Sequence, residues 1–118
     1  MEQMNTYCMI YKLKEDKIKW YIECHKNIPQ KQVNALRECG AQNLEIFLWK
    51  NYAIITYECE NFNKLLENLT ASEENSEWQK IVSPMFAILP SFEGKDKITP
   101  LEKIFSLKSS INNPIFEE

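Results

Sequence analysis

The sequence predicts a single α+β domain, and three features indicate this fold class. Runs rich in β-branched and aromatic residues, which favour strands, alternate with segments whose apolar residues recur at helical spacing. Pro29 and Gly40 stand where one such helix would begin and end. The length of 118 residues suits one domain with its own core. We therefore expect one domain over residues 1–118, with its core at residues 6–107 and a flexible tail at residues 108–118.

The first half of the chain predicts five elements. A strand is followed by a helix that Asp16 would cap, with Tyr21 and His25 on one face. A second helix leads into two strands joined by a tight turn, in which Asn51 is expected to adopt a positive φ. The elements are a strand at 6–13, helices at 16–25 and 29–39, and strands at 42–49 and 52–59.

The second half of the chain completes the pattern. A polar stretch separates two helices, and the second helix contains Trp78. An apolar segment after Pro84 is a short strand candidate, and residues 100–107 form either a last strand or a docked arm. The elements are helices at 61–69 and 74–82 and a strand at 85–89. The order β, α(α), β, β, α(α), β is the split βαβ arrangement of ferredoxin-like folds.

The strand at 42–49 has apolar side chains on both faces. Because side chains alternate along a strand, Phe47 and Trp49 point away from Leu44. A sheet that helices cover on one face must still bury an apolar second face. We therefore predict a homodimer whose sheets close against each other as a dimeric α+β barrel, with a cup between sheet and helices in each subunit. The less polar strand at 52–59 should be central.

Composition and motifs exclude several classes of partner. The net charge of −3, without clusters of Lys and Arg, argues against nucleic acid. No run approaches the ~20 apolar residues of a membrane span, and no basic, then apolar N-terminal region indicates a signal peptide. With one histidine, two glycines and no carboxylate cluster, we expect no metal site and no glycine-rich phosphate-binding loop. The wide spacing of Cys8, Cys24, Cys39 and Cys59 predicts reduced core thiols in a cytoplasmic protein.

The candidate catalytic residues are His25 and Tyr21, which lies four residues earlier on the same helical face. An imidazole that titrates near a pKa of about 6.5, beside a phenol, is suited to moving a proton of a hydroxylated ligand. The alternative is that His25 interacts with the helix dipole at its C-terminus while Tyr21 is a core residue. The spacing leaves both interpretations open.

Three further residues are candidates for ligand binding. Trp78 lies in polar surroundings, where an indole offers an apolar plate for a sugar or simply anchors its helix. Gln79 offers an amide to a polar ligand or is merely exposed. Asn43 stands in a strand, where Asn is depleted, so it faces either a wet cavity or an edge or bulge.

Four short motifs resemble those of the L-rhamnose mutarotase family. Tyr21 and His25, followed by a proline break, are similar to the family's Y-x-x-x-H. The family pattern G-A-x-N-Y-x-I-Y-L resembles CGAQNLEIFL at 39–48, and W-W-x-x-M resembles WQKIVSPM at 78–85. The closing arm L-x-E-V-F-x-L resembles PLEKIFSL at 100–107. The order and spacing of the four motifs are more specific than any one of them.

The resemblance implies a dimeric α+β barrel that interconverts the α and β anomers of L-rhamnopyranose, a monosaccharide, without a cofactor. It implies proton transfer and sugar contact for Tyr21 and His25, and sugar contact for Trp78. Leu44 stands where the family has Tyr, and Gln79 where many members have a second Trp. These departures leave open another 6-deoxy-hexose, a different hydroxylated ligand or lost turnover. The alternatives are a non-catalytic sugar-binding or dimerisation module on the same scaffold and a small oxygenase-like barrel.

Overall fold

A computed structural model describes residues 4–87 and 100–108 of the chain. Its three strands form one antiparallel sheet in which the third strand along the chain lies between the first and the second, with the helices on one side, which confirms the ferredoxin-like α+β fold and the central third strand. None of the described helices is long and apolar enough to cross a membrane. The elements are β1 (Asn5–Lys12), α1 (Ile18–Lys26), α2 (Gln30–Cys39), β2 (Asn43–Trp49), β3 (Tyr52–Cys59), α3 (Phe62–Ala71) and α4 (Glu73–Val82).

The chain that follows α4 returns to the free edge of β1. A 3-10 turn at Ser83–Met85 leads to Phe86, which forms an isolated antiparallel bridge with Leu13. This edge is where the fourth strand of a split βαβ fold belongs. Within the described residues, the strand predicted at 85–89 is reduced to this bridge, because Met85 belongs to the turn. Residues 88 and 89 lie outside the described part of the chain.

The ends of the first two helices follow local chemistry, with one correction. Asp16 does not cap α1, because it lies inside a 3-10 turn at Glu15–Lys17 and the α-helix begins only after that tighter turn closes. Gly40 ends α2 as predicted, at a φ of 120° that glycine adopts without steric cost. Its N–H donates to the Arg37 carbonyl at 3.1 Å, which satisfies one of the last free carbonyls of the helix.

The hairpin between β2 and β3 corrects a second expectation. Lys50 adopts the positive φ, at 55°, so the prediction for Asn51 is wrong. Asn51 instead reaches across to the end of β1, where its side-chain amide donates to the Leu13 carbonyl at 2.9 Å. Its own carbonyl accepts from the Leu13 N–H at 2.7 Å. These two hydrogen bonds connect the hairpin turn to the segment that leads into α1.

The two faces of the sheet differ in how much of them is covered. Along β3, Ala53, Ile55, Tyr57 and Cys59 alternate with less buried residues and face the helices. Along β2, Phe47 and Trp49 point to the opposite face and are 49% and 60% exposed, as the alternation predicts. Two adjacent clusters of buried side chains form the core between the sheet and the helices.

The described C-terminal residues form an arm rather than a strand. The Leu101 N–H donates to the Cys8 carbonyl on the free edge of β1 at 2.8 Å, so of the two alternatives the docked arm is correct. Ile104 and Phe105 on this arm are 90% and 68% exposed. Residues 109–118, which make up nearly all of the predicted flexible tail, lie outside the described part of the chain. All four cysteines are free thiols, of which Cys59 is fully buried and the other three are half-buried.

Candidate active site

A cavity of about 100 Å³ lies between the sheet and the helices, next to both core clusters. Its walls are mostly aliphatic and aromatic, with a few neutral polar side chains. Among the described residues, no Asp, Glu, Lys or Arg lines it. Four of the five predicted site residues contribute to the wall: Tyr21, His25, Trp78 and Gln79.

Helix α1 positions Tyr21 and His25 side by side, because residues four apart lie on the same helical face. Their ring centroids are 4.4 Å apart. Nδ1 of His25 lies 2.6 Å from the backbone carbonyl oxygen of Tyr21. A carbonyl can only accept a hydrogen bond, so this contact assigns the proton to Nδ1 and leaves the Nε2 lone pair free in the neutral ring. Within residues 4–87 and 100–108, Nε2 has no hydrogen-bond partner.

The protonation states of the two rings are complementary. Burial lowers the pKa of His25 below its usual value, although the hydrogen bond to the Tyr21 carbonyl opposes this shift. Burial raises the pKa of Tyr21 far above its usual value, and the neighbouring Cys24 and Tyr11 add to the effect. At neutral pH the site therefore holds a neutral imidazole that can accept a proton and a neutral phenol that can donate one.

Helix α4 brings the indole of Trp78 to the same wall. The ring centroids of Trp78 and His25 are 5.2 Å apart and the rings are nearly perpendicular, at 89°. The helix begins at a local cap, where the Ser72 hydroxyl accepts from the Asn75 N–H at 3.2 Å. An ion pair of 2.6 Å between Lys31 and Glu77 links it to α2. Gln79, the residue after Trp78, is half-buried at the same wall.

Asn43 lies outside this constellation. It is exposed at the start of β2, whereas the next residue, Leu44, lines the cavity. Because neighbouring side chains in a strand point to opposite faces, the inward position of Leu44 turns Asn43 to the open face. The structure thus brings together residues from α1 and α4 but not this residue of β2.

Sequence reasoning missed four polar side chains of the cavity. Tyr11 and Tyr57 were overlooked because aromatic residues in strands resemble ordinary core residues. Burial raises the pKa of both phenols, and their hydroxyls are close enough to influence each other. Gln32 and Asn75 were overlooked because amides on amphipathic helices are usually exposed. A usable signal for Gln32 was its position one turn before Leu36, on the apolar face of α2.

No metal site is evident in the part of the chain that the structure describes: no three His, Cys, Asp or Glu side chains lie together there. Cys24 is the thiol nearest to the imidazole, with Sγ 3.4 Å from Nδ1 of His25. It also donates to the Tyr21 carbonyl at 3.1 Å, and burial raises its pKa, so it remains a neutral thiol.

Comparisons with known proteins agree with this architecture. A protein-family model described as L-rhamnose mutarotase matches residues 6–107. A crystal structure of an L-rhamnose mutarotase from Formosa agariphila is similar at 17% identity with a TM-score of 0.68, covering 87% of this chain and 98% of that chain. A putative antibiotic biosynthesis monooxygenase from Nitrosomonas europaea is similar at 13% identity with a TM-score of 0.56, covering 75% and 84%. No curated protein matches significantly. At these identities, the two structures establish the fold alone.

Proposed function

The chain belongs to the L-rhamnose mutarotase family, and on that basis we propose that it interconverts the α and β anomers of a 6-deoxy-hexose, with L-rhamnose the first substrate to test. The observation that carries this proposal is the hydrogen bond from Nδ1 of His25 to the Tyr21 carbonyl. His25 lines the cavity, and its Nε2 has no partner among the described residues. The neutral walls of the cavity support an uncharged ligand rather than a sugar phosphate.

The proposed reaction moves two protons and breaks one bond. His25 Nε2 takes the proton of the anomeric hydroxyl while the Tyr21 hydroxyl gives a proton to the ring oxygen. The bond between the anomeric carbon and the ring oxygen breaks, leaving an open-chain aldehyde. Rotation exposes the other aldehyde face, and ring closure with the reverse transfers yields the other anomer and restores both side chains. General acid–base catalysis of this kind contributes about 10²–10⁴-fold.

Trp78 and the aliphatic walls supply the binding part of the proposal. An indole plate packs well against the C–H groups of a sugar ring, and the aliphatic side chains accommodate a methyl group. Gln79 provides an amide at the same wall for a sugar hydroxyl. Leu44 lines the cavity and offers no hydroxyl, so at that position the ligand is held by apolar contact.

Exchange between anomers, measured by saturation-transfer NMR on L-rhamnose and several other free sugars, tests this function directly. We expect exchange above the uncatalysed rate for at least one 6-deoxy-hexose and a loss of about 10²–10⁴-fold in His25→Ala. Exchange that is unchanged by the protein, for every sugar, removes the proposal. Ligand-induced stabilisation without exchange would instead indicate the non-catalytic sugar-binding module. A His25→Ala protein as active as the parent rejects the mechanism while leaving the activity.

The assembly proposed with this function is a cytoplasmic homodimer. The open face of the sheet carries Ile10, Phe47 and Trp49, which are 46%, 49% and 60% exposed. Burying such side chains against a second copy is favourable in proportion to the apolar area removed from water. A two-fold dimer would use each of them twice, since the same patch then occurs on both subunits.

A further inference from the structure

A pair of buried amides lines the cavity and takes no part in the mechanism above. Gln32 on α2 and Asn75 on α4 are only 3% and 8% exposed. Nε2 of Gln32 donates to Oδ1 of Asn75 at 3.0 Å. Nδ2 of Asn75 in turn donates to the backbone carbonyl of Leu69, at the end of α3, at 3.1 Å.

The Leu69 carbonyl fixes the orientation of both amides. Since a carbonyl can only accept, it must face the NH₂ group of Asn75, and Asn75 must present its oxygen to Gln32. That oxygen likewise can only accept, so it must face the NH₂ group of Gln32. The atom at the far end of this series of hydrogen bonds is Oε1 of Gln32, which is therefore an acceptor. Exchanging the O and N positions of either amide would set two acceptors or two donors against each other.

This acceptor has no donor among the described residues. Oε1 of Gln32 has less than 1 Å² accessible to water and, within the described residues, no hydrogen-bond partner. Most buried polar groups are paired, because an unpaired one loses its hydration without compensation. Gln32 already lines the cavity. The last side-chain torsion of a glutamine, χ3, has a broad range of allowed angles, so a small rotation about it would present the oxygen to a bound molecule.

We propose that Oε1 of Gln32 accepts a hydrogen bond from one hydroxyl of the ligand and that Asn75 is the positioning residue that holds this acceptor in place. The inference rests on the proposed sugar-binding function and adds a specificity determinant to it. An acceptor recognises an O–H donor and discriminates against an ether, ketone or carboxylate at the same place. Leu36, one turn further along α2, and Leu69 line the same cavity. This end of the cavity therefore suits a ligand edge with one hydroxyl among C–H groups, as a sugar ring offers.

The test is a binding matrix of two proteins against L-rhamnose and its singly deoxygenated analogues. Isothermal titration calorimetry gives Kd for the parent and for Gln32→Met, which keeps a similar shape without an acceptor. We expect L-rhamnose to bind Gln32→Met roughly 5- to 10-fold more weakly than the parent. We also expect one analogue to bind the parent more weakly by a similar factor, and to bind Gln32→Met no more weakly than L-rhamnose does. The control is Gln30→Met on the exposed side of α2. This variant should bind L-rhamnose with the same Kd as the parent.

The outcomes separate this inference from the proposed function. If the parent exchanges anomers but Gln32→Met binds every analogue as the parent does, only this inference is overturned. A loss in Gln32→Met that is equal for all analogues indicates a structural role and also overturns it. A parent that neither binds nor exchanges any sugar overturns both.

A second measurement on the parent protein does not depend on folding of the variant. The side-chain NH₂ resonances of Gln32, assigned by triple-resonance NMR, should move on addition of L-rhamnose and should not move with the analogue lacking the recognised hydroxyl. Resonances that ignore every sugar bound by the protein would contradict the hydrogen bond.

Discussion

The two faces of the sheet are built from the same strands but differ in their cover. On β3, Ile55 is 7% exposed under the helices, opposite Met9 and Ile46, while its neighbour Ile54 faces the open side, opposite Ile10 and Phe47. The covered face is almost wholly apolar, whereas the open face mixes apolar residues with polar ones such as Glu45 and Glu58, so composition and cover differ together. The helices cover one face only, and the open face must find its cover elsewhere or remain wet.

The largest expected effect separates the two neighbouring isoleucines. Ile55→Ala should lower the free energy of unfolding by about 2–5 kcal/mol, since it leaves a void in a packed core. Ile54→Ala should cost less at low protein concentration, because its side chain is only half-buried. If a second copy covers the open face, the cost of Ile54→Ala should grow with protein concentration. Urea denaturation at two concentrations measures both, and equal costs at low concentration would contradict the comparison.

The next prediction uses two tryptophans of matched exposure. Trp49 on the open face is 60% exposed and Trp20 on α1 is 62% exposed. Trp49→Glu should raise the Kd of the proposed homodimer on the order of 100-fold, because it places a charge in the proposed interface twice. Trp20→Glu should leave that Kd unchanged. Analytical ultracentrifugation gives both values, and a parent protein that is monomeric throughout would exclude the dimer.

A smaller effect is expected at Gly40, which ends α2 shortly before β2 begins on the way to the two-faced sheet. Gly40→Ala should lower the free energy of unfolding by about 1–2 kcal/mol, because a residue with a Cβ is strained in a left-handed conformation. A Cβ at Gly40 would meet no atom within 4 Å, so the cost comes from the backbone alone. Glu38→Ala, an exposed change near the end of the same helix, should stay within about 0.5 kcal/mol. Thermal denaturation at matched pH compares the two, and equal losses would refute the backbone explanation.

The smallest prediction concerns how stability depends on pH. It involves the covered side only, because His25, the only histidine in the chain, lines the cavity on that side. Burial lowers its pKa in the folded protein, so the unfolded chain takes up a proton first as the pH falls. Stability should therefore decrease below the unfolded pKa of about 6.5 and level off below the folded value. His25→Gln should lose this part of the pH dependence in urea titrations between pH 5 and 8. An unchanged slope in the variant would assign the effect to other groups.

Local signals were enough to predict most of the fold. Gly40 ends a helix because few other residues adopt its φ, and the low polarity of residues 52–59 after a tight turn predicts β3 as the central strand. Long-range contacts were not visible in the sequence. Asn51 fits a hairpin turn as well as Lys50 does, but a hydrogen bond to Leu13, 38 residues away, holds it outside the positive-φ position.

Four of the five predicted site residues line the cavity, but local spacing accounts only for the pair on α1; Trp78 and Gln79 on α4 were predicted from their polar surroundings and from the family resemblance. Tyr21 and His25 lie on one helical face, so their spacing alone brings them together. Asn43 does not join them, because the alternation that turns Phe47 away from Leu44 turns Asn43 away as well. The position of Gln32 on the apolar face of α2 signals that it is buried, but not its role, which depends on an oxygen whose environment only the packing of α2, α3 and α4 defines.

The backbone carbonyl that orients His25 has a chemical consequence. Histidines that act as strong bases often have a carboxylate behind them, which stabilises the imidazolium once it forms. Here the group behind Nδ1 is a neutral amide oxygen of the same helix. It stabilises the imidazolium only weakly, so a protonated His25 releases its proton readily. In the reaction proposed above, which is nearly thermoneutral and must run equally well in both directions, a base that binds its proton weakly avoids a kinetic trap on either side.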